Sequence, residues 1–369
     1  MKNRYLAPFI LVCFIVSSCQ HAFEIANTPT NNSTFNSTVT SLFTPTHPPT
    51  LTFTQTITSS PTNTQTPTLS PLVFESLKPG EIVRHPATES NPYVFFSFFP
   101  KSLLYEDDVP ILVMPHGGGD RNEDYSYYES KAMEKVDLLA PYGEDFQMAI
   151  VVVAIPRSDR GEAQALDHSV FSNPDEFLNR PDLKLIDIVW NQYIPLLEEA
   201  GYTTNHRVNM MGFSASAMFS QRFSILHPEL VSAIWLGAPG IATLPTAVLD
   251  GKGLDYPMGV RNLESLTGKP FDFDSFSAIR HFIEVGELDN LPDNDTLPMF
   301  SLADQQFIIS HYGSTNPERV VFYAKYLDSL SLPAEFQINQ GIGHQFPPDM
   351  FVDAFNFFLG EKSNYPYLK

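Results

Sequence analysis

The residues Gly212-Phe213-Ser214-Ala215-Ser216 fall between a short apolar run at 208–211 and an amphipathic stretch at 215–227. A serine on a sharp strand-to-helix turn is forced into strained backbone angles, and its hydroxyl stands clear of the sheet, where it can act as a nucleophile. The residues two before and two after must be small, or they collide across the turn. Gly212 meets that need, and Ser216 is small although glycine is the usual residue there. A helix starting just after Ser214 adds the positive end of its dipole, which favours a developing oxyanion near the Ala215 amide. The plainer alternative is a serine that caps a helix. Ser216 is a poor rival nucleophile, because Met218 two residues on is too bulky for the turn.

Three further stretches supply the groups such a serine needs. His116-Gly117-Gly118-Gly119 follows an apolar run at 111–114. Glycines there let backbone amides of Gly118 or Gly119 approach a substrate oxygen closely; a tight glycine-rich turn is the alternative. Neither Lys-Ser/Thr after the glycines nor Gly-x-Gly-x-x-Gly is present, which argues against a phosphate cradle. Gly343-His344 sits in a loop after a late strand, although His344 is one of ten histidines. Gly286-Glu287-Leu288-Asp289 follows another apolar run, and a carboxylate there could hold an imidazole in one tautomer and stabilise its cation. Asp289 is preferred, with Glu287, Asp293 and Asp295 as rivals within reach. The glycine-rich loop comes first, then Ser214, Asp289 and His344, and this is the chain order of the α/β-hydrolase arrangement.

On the stretches 115–119, 211–219 with His227-Pro228-Glu229, 286–289 and 343–344, residues 72–369 resemble a secreted esterase of the α/β-hydrolase superfamily. The group includes polyhydroxybutyrate depolymerases, feruloyl esterases and acetylxylan esterases. The resemblance implies a carboxylic ester hydrolase with Ser214 as nucleophile, His344 as base, Asp289 as its orienting acid, and an oxyanion hole from Ala215 with Gly118 or Gly119. No cofactor or metal is required, and the partner is a small or polymer-linked ester. Two other readings share these residues: a serine peptidase on the same fold, and a tethered binding module without catalysis.

Placing those residues together needs alternating strands and helices. Strands are expected at 93–99, 110–114, 147–155, 208–211, 231–236, 281–285 and 335–339. The run Ala149-Ile150-Val151-Val152-Val153 is apolar on both faces, as a buried parallel strand should be. Helices are expected at 182–200, kinked by Pro195 and stopped by Gly201, and at 215–227, 317–330 and 348–359. The alternation predicts an α/β fold with a mostly parallel central sheet and helices on both faces. Residues 255–276 break the alternation; an irregular surface loop is the expectation, and a lid over the site the alternative.

The rest of the chain reads as delivery. Lys2 and Arg4, an apolar stretch at 5–16 and Val16-Ser17-Ser18-Cys19 resemble the signal and lipobox of a bacterial lipoprotein. That implies cleavage after residue 18, lipidation of Cys19 and an extracytoplasmic, membrane-anchored or secreted protein whose contact with the bilayer is through acyl chains alone. Between Asn27 and Pro71 there is no Asp, Glu, Lys or Arg, and Thr, Pro, Ser and Asn dominate. Residues 19–71 are therefore expected to be a disordered linker. Cys13 and Cys19 are the only two cysteines, so a disulfide scaffold and a Cys nucleophile in the body are excluded. Net charge is −20, from 22 Lys and Arg against 42 Asp and Glu, which disfavours nucleic acid as a partner.

Overall fold

The computed structural model describes residues 77–101, 103, 108–116, 121–157, 163–290 and 297–360. The chain divides into two units, Met1–Thr68 and Leu69–Lys369. Cys19, the expected signal and the expected linker lie outside the described residues.

The strands are β1 Ile82–His85, β2 Phe95–Phe98, β3 Ile111–His116, β4 Ala149–Ala154, β5 Val208–Phe213, β6 Val231–Gly237, β7 Val248–Leu249, β8 Lys252–Gly253, β9 Arg280–Gly286 and β10 Ala334–Asn339. The helices are α1 Tyr125–Asp145, α2 Pro181–Ile186, α3 Ile194–Glu199, α4 Ala215–Leu226, α5 Leu263–Thr267, α6 Phe273–Ser277, α7 Leu302–His311, α8 Asn316–Ser329 and α9 Pro348–Phe358. Eight strands form one sheet in the order β1-β2-β4-β3-β5-β6-β9-β10, and β7 and β8 form a separate small hairpin. β2 runs antiparallel to both neighbours, β1 and β4, and every other pairing in the sheet is parallel.

Strand alternation sorts the core into two layers. Ile111, Val113, Val151 and Ile283 face α2, α3, α4 and α8. Leu112, Met114, Val152 and Phe282 face α1 and α9. Both faces of β3 and β4 are buried along their whole length, which is why these strands read as continuous apolar runs. β10 is one of the two edge strands, and each of its residues is only half-buried.

Two expectations change. The single helix expected at 182–200 is α2 and α3 joined by a π-helical turn at Asp187–Tyr193. Pro195 lacks an amide hydrogen and sits at the start of α3, so the wide turn before it absorbs the bond that proline cannot make. Gly201 follows with φ 93°, the left-handed ending expected of it. Residues 255–276 carry α5 and most of α6, and Tyr256, Met258, Leu263 and Phe276 are buried in the main core. Leu263, Thr267 and Phe271 border a cavity of about 190 Å³ with Leu226, Pro228 and Glu229, at the C-terminal end of α4. A helix of that length spans about 18 Å, so this part of the segment lies at the far end of α4 from Ser214 and does not cover it. Among the described residues no helix is long and apolar enough to cross a membrane.

Candidate active site

The site begins with the turn from β5 into α4. Ser214 has φ 57° and ψ −122°, a strained conformation for a residue with a side chain, and its hydroxyl makes no capping bond to the helix. That removes the capping explanation for this serine. Its backbone N–H donates to Gly237 O at 2.8 Å, which ties the turn to the end of the neighbouring strand β6. A Cβ on Gly212 would lie 2.2 Å from Ser216 O and 2.5 Å from Ala217 N, so only glycine fits. Ser216 is fully buried: its hydroxyl donates to Phe213 O at 2.9 Å and accepts from Phe213 N at 2.8 Å. Ala215 opens α4, and its N–H has no acceptor among the described residues. An unpaired N–H at a helix start is the kind of donor an oxyanion can use. Gly118 and Gly119 lie outside the described residues, though β3, which precedes them, pairs directly with β5.

Asp289 and His344 are brought together from the ends of β9 and β10. His344 Nδ1 lies 3.0 Å from Asp289 Oδ2. A carboxylate only accepts, so the proton sits on Nδ1 and Nε2 is left as the basic nitrogen. The Asp289 side chain is 3% exposed and that of His344 31%, so the carboxylate is buried and the imidazole is partly open to solvent. Gly286 permits this approach, since a Cβ there would lie 2.3 Å from Ile342 O and 2.4 Å from Gly343 O. Leu288 N then donates to Ile342 O at 2.8 Å, joining the two loops through their backbones. Glu287 turns away from the imidazole and accepts from Gly341 N at 3.0 Å, so it braces the histidine loop. Asp293 and Asp295 lie outside the described residues.

One contributor has no signal in the sequence. Asn316 Nδ2 donates to Asp289 Oδ2 at 2.7 Å, while Asn316 Oδ1 accepts from Gly240 N at 3.1 Å. It opens α8 just before Pro317 and reads there as an ordinary helix-start residue.

The imidazole of His344 rests against the ring of Phe213, centroids 4.9 Å apart, one residue before the serine. Phe346 stacks on Phe213, Trp235 and Phe351 and fixes the far side of the loop. Neither Ser214 Oγ nor His344 Nε2 makes a hydrogen bond among the described residues. Such bonds are often long in sites without substrate and shorten when it binds. Further along the rim, at the C-terminal ends of β3 and β4, lies a cavity of about 340 Å³. Asn122, Tyr125, Tyr128, Pro156, Phe177 and Leu178 line it.

With eight strands in this order, β2 reversed, and a serine on the turn after β5, the protein has the α/β-hydrolase fold. A solved structure of a poly(aspartic acid) hydrolase from Sphingomonas sp. KT-1 superposes over 76% of this chain and 97% of that one, with TM-score 0.54 and 19% identity. A poly(3-hydroxybutyrate) depolymerase from Bordetella parapertussis matches 77% of this chain and 90% of its own, with TM-score 0.49 and 17% identity. At 19% identity the likeness to the first of these is one of fold. No family model matches the chain, and no curated protein matches it in sequence.

Proposed function

We propose that the protein is a serine hydrolase that cleaves carboxylic esters through an acyl-enzyme on Ser214. The observation that carries this reading is the Ser214 backbone, held at φ 57° with its hydroxyl withheld from the helix it precedes. Strain of that kind persists only where the surrounding structure enforces it. Ser214 Oγ attacks the ester carbonyl carbon as His344 Nε2 takes its proton, and Asp289 stabilises the imidazolium through Nδ1–H. The oxyanion accepts from the Ala215 N–H and from an amide of Gly118 or Gly119. Collapse of the tetrahedral adduct expels the alcohol, which takes the proton from His344. Water, giving a proton to the same nitrogen, then releases the acid and restores the serine hydroxyl. The cavity beside Tyr125 and Phe177 offers room for one side of the ester.

The test is hydrolysis of p-nitrophenyl and feruloyl esters together with labelling by a fluorophosphonate. The wild-type protein is expected to hydrolyse esters and take the label, and Ser214→Ala to lose the label and roughly 10⁴-fold or more of kcat. Equal rates for the two would overturn the assignment. Labelling with cleavage of peptides and not esters would turn the reading to a peptidase. The N-terminal sequence supports an extracytoplasmic site of action, with the domain tethered through lipid on Cys19.

A further inference from the structure

Glu284 lies in β9, two residues before Gly286, and is completely buried on the sheet face that packs against α9. A buried carboxyl is costly unless its oxygens are engaged. Its Oε2 accepts from Trp235 Nε1 at 2.6 Å, and its Oε1 accepts from Asn339 Nδ2 at 3.4 Å. Those two partners are the footings of the loop that carries His344. Asn339 is the last residue of β10, and its carbonyl accepts from Glu287 N at 2.9 Å and from Ile342 N at 3.4 Å. Trp235 is the ring on which Phe346 stacks at 4.8 Å, two residues beyond His344. One side chain therefore reaches both ends of a loop whose middle must present an imidazole to Ser214.

We propose that Glu284 is a positioning residue: its two carboxyl oxygens hold Asn339 and Trp235, and through them fix the height of His344 above the sheet. This rests on the serine-hydrolase reading of the same site. Glu284 touches neither substrate nor the reacting atoms and acts through the loop alone. Burial, with Asp353 of α9 facing it, pushes its carboxyl up to about 8. The groups presented by β6 and β10 are Trp235, Gln337 and Asn339, none of which titrates in that range. The side chain is thus largely uncharged at neutral pH and becomes an anion facing Asp353 as the solution turns alkaline. Trp235 and Asn339 both donate to the carboxyl, so both footings are kept whether or not it carries its proton.

The experiment compares Glu284→Leu and Glu284→Gln with the wild-type protein in steady-state ester hydrolysis across pH, with fluorophosphonate labelling alongside. Displacing the loop in Glu284→Leu is expected to lower kcat by roughly 10- to 100-fold with little change in KM. Glutamine keeps an acceptor for Trp235 and cannot ionise. Glu284→Gln is therefore expected to recover most of the kcat lost in Glu284→Leu. A folded Glu284→Leu with wild-type kcat overturns the proposal, as does a Glu284→Gln variant that loses as much kcat as Glu284→Leu. Should the Leu variant fail to fold, Asn339→Ala, which removes one footing on a half-buried edge strand, takes its place: the same loss of kcat at little-changed KM is expected, and wild-type kcat overturns the proposal. Failure of the underlying reading is distinct, since then neither the wild-type protein nor Glu284→Gln takes the label.

Discussion

Ser216 carries a hydroxyl where a nucleophile elbow usually has glycine, and the structure gives the hydroxyl a task. It satisfies both the N–H and the C=O of Phe213, the residue just before the strained serine. Removing it takes a hydrogen-bond partner from two part-buried backbone groups. Ser216→Ala is expected to cost about 1–3 kcal/mol of stability, read as a lowered denaturation midpoint, and to slow fluorophosphonate labelling of Ser214 as the turn loosens. A variant as stable and as reactive as the wild-type protein would mean that the backbone alone holds the turn. At this scale much of the site was legible. Gly212 and Ser214 are named by spacing, because the turn has no room for other residues. The choice of Asp289 over Glu287 was open in the sequence, since both follow the same strand; in the structure the Asp289 carboxylate lies 3.0 Å from His344 Nδ1, while that of Glu287 accepts from Gly341 N. Asn316 was not legible, because its contact with Asp289 exists only once α8 has packed beside β9.

Among the elements, those with one unambiguous pattern were the easiest to read. β4 is apolar on both faces and α4 has a clear apolar stripe, and both lie where their patterns put them. The sequence reading leaves out α1, the longest helix described. Its buried stripe of Tyr128, Ala132, Val136 and Leu139 alternates with Glu, Lys and Asp, and Pro141 falls inside it. Its start is set by Asp124, whose side chain accepts from Ser126 N, a cap visible only in hindsight. The π-helical turn before Pro195 was likewise invisible, because periodicity of 3.6 cannot report one widened turn. β9 carries a second feature that pattern alone misses. His281 is fully buried against Phe276, and neither ring nitrogen has a hydrogen bond among the described residues. Burial pushes its imidazole down to about 3. The unfolded chain takes up a proton near pH 6.5 that the folded chain refuses, so stability falls as pH drops from there towards 3. His281→Leu is expected to raise Tm, and to raise it more at pH 5 than at pH 8. A shift of equal size at both pH values would show that the ring does not stay neutral in the fold.

For the whole molecule, alternation of strands and helices was enough to predict the fold class, while the strand order was not legible. Nothing in the sequence says that β2 runs against its neighbours, since direction is decided by the connections and not by the strand itself. The cysteines lie outside the domain that carries the site, and this makes the proposed tether open to a direct test. Cys19→Ala is expected to move the protein from the membrane fraction to the soluble fraction and to abolish incorporation of a fatty-acid label, with ester hydrolysis unchanged. Persistence of the lipid label would disprove attachment at that sulfur.

The proposed base, His344, follows a strand at one edge of the sheet. Among the described residues β10 is paired on one side only, by β9. Hydrogen bonds at an open margin fray before those in the middle of a sheet. Warming should therefore peel away the support of His344 while the serine turn, seated between β3 and β6, is still intact. The protein would fall silent as a catalyst some degrees before it ceases to be folded.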